Sequence, residues 1–61
     1  MPSDETRRLL RAFGAAVTAY EDAVRDSSSV EQIRKSETEV RARLAEVTAL
    51  IDRLRAVAPP P

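Results

Sequence analysis

Between Val30 and Leu54 the apolar side chains recur in alternating steps of three and four residues: Val30, Ile33, Val40, Leu44, Val47, Ile51 and Leu54, with Glu37 at the one position that would complete the series. This spacing keeps a single stripe of a helix apolar, and such a stripe is built to meet another helix. Committing so much of a short chain to one seam constrains it to an all-α fold held by helix packing. At 61 residues the chain allows one domain, and so small a domain buries too little of its surface to be comfortable alone without a disulfide, a metal or a partner. It contains neither cysteine nor histidine. A disulfide or thiolate site is thereby excluded, and the usual metal ligand and neutral-pH proton shuttle are missing. Oligomerisation is the staple that remains.

The same inventory bears on catalysis. No histidine activates the serines and threonines, the carboxylates are spread along the chain, and a single glycine leaves no glycine-rich loop to cradle a phosphate. The expectation is a non-enzymatic protein with no cofactor. The start Met1-Pro2-Ser3-Asp4 has no basic segment leading into an apolar one, and no run approaches the roughly 18 apolar residues of a membrane span. A cytoplasmic location with no membrane partner is the default reading.

Along the chain, Ser3 is placed to cap a helix, with Asp4 and Glu5 in the first turn against the positive end of its dipole. Leu10, Phe13, Val17, Tyr20 and Val24 continue at helical spacing, and Leu9, Ala16 and Ala23 widen one flank into a face broad enough for more than one neighbour. The serines at 27, 28 and 29 interrupt the pattern, and both Ser28-x-x-Glu31 and Ser29-x-x-Gln32 are acceptable capping boxes for a second helix. That helix is stopped by the prolines at 59, 60 and 61, since proline lacks the N–H and disfavours helix in the residue before it. The chain therefore reads as helix one over 4–26, a turn at 27–28, helix two over 29–57 and an extended tail over 58–61.

Phase argues for a hairpin over one long rod. Extending the first stripe beyond Val24 lands on Ser27, Glu31 and Arg34, whereas the second stripe starts at Val30 and Ile33, one residue early. A one-residue slip turns a seam by about 100° on a straight helix, so a rod would carry two mismatched faces while a turn lets both point inward. Helices of roughly 34 and 42 Å follow from about 1.5 Å per residue, and helix two overhangs with Leu54 and Val57. One side of the apolar face stays open, with Leu9, Leu50 and Val57 on its flanks, and pairing two hairpins into a homodimeric four-helix bundle fills it. The small residues Ala12, Gly14, Ala15, Ala16 and Ala19 let another backbone approach helix one. Expected at the oligomer interface are Leu10, Phe13, Val17, Tyr20, Val40, Leu44, Val47, Ile51 and Leu54.

Glu37, the polar member of the seam, needs a partner or water; Arg34, Arg41 and the Tyr20 hydroxyl are within reach of the predicted hairpin. Ten basic and ten acidic residues cancel, which disfavours a dedicated nucleic-acid binder. Their arrangement is uneven, because a hairpin gathers Arg7, Arg8, Arg11, Arg53 and Arg55 at its open end and Glu21, Asp22, Asp26 and Glu31 near its turn. Asp4 with Arg8, Glu21 with Arg25, Glu37 with Arg41 and Glu39 with Arg43 have the favourable order for ion pairs along a helix. The five arginines form the candidate partner-binding surface, for an acidic protein surface first and for phosphates second. No aromatic residue lies among them for base stacking. The functional expectation is a small regulatory or adaptor module that pairs with itself and binds another protein. Two alternatives are a dimeric hairpin that grips nucleic acid through those arginines and a docking segment that folds on a larger partner.

Overall fold

The computed structural model describes residues 3–58 as two helices, α1 (Asp4–Arg25) and α2 (Val30–Val57), folded back on each other as an antiparallel hairpin. The three prolines of the expected tail lie outside the described residues. Each helix begins where a serine hydroxyl satisfies a backbone N–H that has no carbonyl partner within the helix. Ser3 accepts from the N–H of Thr6 at 3.1 Å, and Ser29 accepts from the N–H of Gln32 at 3.2 Å. Of the two serines that could cap α2, the chain thus uses Ser29. At the far end of α2, Ala58 turns to extended backbone while its N–H still donates to the carbonyl of Leu54.

The chain reverses direction without glycine or proline. Asp26 caps α1, Ser27 takes a left-handed conformation with φ 55°, and the Ser27 and Ser28 N–H groups donate back to the carbonyls of Val24 and Ala23. This is the Schellman arrangement, in which two otherwise orphaned carbonyls of the last turn are satisfied. It normally places glycine where Ser27 stands, because a Cβ in the left-handed region meets the following carbonyl. Ser27→Gly is accordingly expected to stabilise the hairpin by about 0.5–1 kcal/mol, measurable as a shift of the urea midpoint at unchanged slope.

Among the described residues a single ion pair crosses between the helices, Glu5 Oε2 to Arg53 at 3.1 Å, and it sets the register. Counted from that pair, each step forward along α1 matches a step back along α2, which puts Leu9 within about a turn of the level of Ala49, Gly14 of Leu44 and Glu21 of Glu37. On this count Leu54 is level with Asp4, the first residue of α1, so less than one turn of α2 overhangs the open end; Val57 lies exposed in it and Leu54, expected there too, lies exposed beside the start of α1. The molecule measures 47 × 19 × 16 Å. Its radius of gyration of 14.6 Å far exceeds the roughly 10–11 Å of a compact globule of this length.

The line along which the helices meet differs from the one expected. Leu50 and Ala16, each 6% exposed, are the only buried residues among those described. Leu9, Phe13 and Tyr20 of α1 and Ile33, Val40 and Val47 of α2 are half-buried beside them. Leu9 and Leu50, expected to flank the seam and stay wet, instead belong to the contact. Alanine explains the rotation: Ala12, Ala16 and Ala23 bring the backbones together on that flank, and Leu9 and Leu50, within one residue of the same level, close over the gap. The cost falls on Leu10, Val17, Leu44 and Ile51, which turn outward.

Candidate interaction face

The outward-turned residues fall on one side of the hairpin, for a geometric reason. In each helix they follow a contact residue by one position: Leu10 follows Leu9, Val17 follows Ala16, Leu44 follows Arg43 and Ile51 follows Leu50. One residue is about 100° of rotation. Reversing the direction of a helix and placing it across the contact line are two inversions that cancel, so the same step leads onto the same side of the hairpin in both helices. Leu10, Val17 and Val24 therefore form one ridge, and Val30, Glu37, Leu44 and Ile51 a second ridge beside it. Leu44 is 48% exposed and Val30 68%, while Leu10, Val17, Val24 and Ile51 fall between about two-fifths and just over half. Near the turn this front face sinks into a shallow depression of about 420 Å³ lined by Val17, Tyr20, Glu21, Val24 and Arg25.

The opposite face is built of different material. There α1 presents Ala15 and Ala19, and α2 presents Glu39 and Glu46, to both of which Arg43 donates from the contact line, at 2.8 Å for Glu39. Hydrogen bonding to Glu39, its charge, and then the same two effects from Glu46 raise the Arg43 pKa above the ordinary guanidinium value. The Glu5–Arg53 pair lies on this side as well. Alanines and paired charges are at home in water, whereas aligned leucine, isoleucine and valine are the surface that water penalises.

Of the nine residues expected at an oligomer interface, Phe13, Tyr20, Val40 and Val47 are half-buried along the line between α1 and α2, and Leu10, Val17, Leu44 and Ile51 are exposed on the front face. Leu54 sits at the open end beside the start of α1, also exposed. Val24 and Val30 belong to the front ridges although the expected set omits them; their places in the three-and-four spacing were the available signal. Gly14 occupies the α1 ridge between Leu10 and Val17, and a Cβ added there meets nothing within 4 Å. Packing within the hairpin therefore gives no reason for glycine at this position.

Glu37 reaches Arg41 at 2.7 Å and its side chain remains 41% exposed, so the polar member of the seam is both paired and wetted. Glu21–Arg25 at 3.1 Å and Glu39–Arg43 are the other expected pairs that form, whereas Asp4 and Arg8 make no ion pair among the described residues and Glu5 reaches Arg53 instead. All five open-end arginines are exposed, and Arg53 is the one held by a carboxylate across the hairpin. Among the described residues no group of acidic side chains is placed to hold a metal ion, and no helix is long and apolar enough to cross a membrane. No protein-family model matches this chain, and no curated protein or solved structure matches it either.

Proposed function

We propose that this chain is a non-enzymatic helical interaction module that pairs with itself through its front face into a dimeric four-helix bundle and serves as a small regulatory or adaptor protein by binding another protein. The observation that carries this reading is the double ridge of Leu10, Val17, Val24, Leu44 and Ile51, apolar, aligned and exposed. A hairpin with two buried residues has a core too small to hold two helices firmly, and helices this short draw most of their stability from packing. Covering the front face supplies the missing core. Arg8 and Arg11, which lie away from the front face, stay on the outer surface of such a bundle, where guanidinium groups suit the carboxylates of a second protein.

Sedimentation of the purified chain over a wide concentration range, with circular dichroism on the same samples, tests the reading. A helical dimer is the expected result. A weakly helical monomer at every concentration would overturn it in favour of a segment that folds only on a larger partner. Affinity for a candidate partner that collapses between low and physiological salt, with phosphate competing, would move the arginines to a nucleic-acid role.

A further inference from the structure

We propose that the second copy lies on the front face end for end, so that the turn of one hairpin covers the open end of the other, with the two-fold axis passing at the level of Gly14 and Leu44. This inference rests on the self-association proposed above and adds its geometry. The charge along the hairpin commits this face to a second copy: Glu21, Asp22, Asp26 and Glu31 lie near the turn and Arg7, Arg8, Arg11, Arg53 and Arg55 at the open end, so one copy laid end for end on another sets acid against base.

Two ways of stacking front face on front face have two-fold symmetry. If both turns lie at the same end, α1 of one copy runs opposite α2 of the other, and every residue faces its own level mate: Glu21 faces Glu37 of the second copy, Val17 faces Arg41, and both contacts occur twice. Glu21 and Glu37, each held by an arginine four residues on, meet near the turn, the open-end arginines of both copies gather at the other end, and the last turn of each α2 projects past α1 with Val57 uncovered. If the turns lie at opposite ends, α1 faces α1 and α2 faces α2, each pair antiparallel.

The second arrangement satisfies several groups with one choice of axis. Because Gly14 and Leu44 are level on the count from Glu5–Arg53, an axis there places Gly14 opposite Gly14 of the second copy and Leu44 opposite Leu44. Leu10 and Val17 of the two copies then interlock around the glycines, where absent side chains admit close approach of the helices. Glu21 comes opposite Arg7 of the second copy. Glu37 comes level with Ile51 of the second copy, within about one turn of its Thr48 hydroxyl and its Arg55 guanidinium. Val57, 79% exposed in the overhang, comes within a residue of the level of Val30, 68% exposed beside the turn. The acidic turn thus meets the basic open end.

The chain has no cysteine, so one installed at the exposed cap residue, Asp26→Cys, reports the orientation through spin-label distances in the full-length protein. Opposite turns place the two labels about 40 Å apart, from some 12 residues of helix on either side of the axis; turns at the same end place them under about 20 Å apart, across the diagonal of the bundle. The unmodified chain gives an independent reading by salt. Opposite ends predict a dimer that weakens about fivefold between 0.05 and 0.5 M NaCl as the two Glu21–Arg7 contacts are screened, and turns at one end predict strengthening. A dimeric mass with the long distance and the weakening supports the proposal. Dimeric mass with the short distance, or with strengthening by salt, overturns the orientation and leaves self-association standing. A monomeric mass at all concentrations overturns both.

Discussion

Leu44→Asp is expected to abolish the dimer while an aspartate one position further on, Ala45→Asp, leaves it intact. Leu44 is 48% exposed in the hairpin, so a carboxylate there is solvated in the monomer and costs little. In the paired state it would be removed from water without a partner, and with the axis passing between the two copies of residue 44 two aspartates would face each other. An unpaired polar group transferred from water costs about 2–7 kcal/mol, and a charge costs more; at about 1.4 kcal/mol per tenfold, the dimerisation constant should fall by at least about a thousandfold. Ala45 is exposed and points away from both the contact line and the front face, so its replacement carries only the helix-propensity penalty of a few tenths of a kcal/mol. Sedimentation at one concentration separates the two variants. Helicity should fall along with mass in Leu44→Asp, because the released hairpin retains a core of two residues. An unchanged mass for Leu44→Asp would remove the front face from the assembly.

Those features that rest on near neighbours in the chain were legible before folding. Ser3 and Ser29 are caps because each stands directly before a helical run whose first-turn N–H groups lack carbonyl partners, and Glu21–Arg25, Glu37–Arg41 and Glu39–Arg43 pair because they are four residues apart on one helix. The hairpin itself could be read from a one-residue slip between two stripes. What periodicity could not decide was which flank of a broad stripe would face the other helix. That choice is made by the volume of the opposing residues, and the alanines at 12, 16 and 23 draw α2 toward their side, burying Leu50 and turning Leu44 and Ile51 out. Glu5–Arg53 depends on inter-helix register and left no local signal. Nor did the left-handed Ser27, since serine has no special preference for that conformation and the turn imposes it.

The front face and the contact line are thus one residue apart on each helix, and that adjacency makes a second pair of substitutions informative. Leu50→Ala is expected to destabilise the protein by about 2–3 kcal/mol, the low end of the range of about 2–5 kcal/mol for emptying a buried leucine site, because a two-helix contact can partly collapse. Chains of about 60 residues have total stabilities of only a few kcal/mol, and in a domain this size each kcal/mol moves the melting midpoint by roughly 4–8 °C. A loss of about 10–20 °C is the result, and it persists on dilution because Leu50 packs within its own hairpin at 6% exposure. Ile51→Ala removes a side chain of the same size that is already 49% exposed there. Its cost arises on association alone, so its melting midpoint should approach that of the unmodified chain as both are diluted toward monomer. Melting curves at two protein concentrations about a hundredfold apart distinguish the cases. Equal, concentration-independent losses at both positions would mean that Ile51 too is packed within the hairpin, and the line between α1 and α2 would have to be redrawn through residue 51.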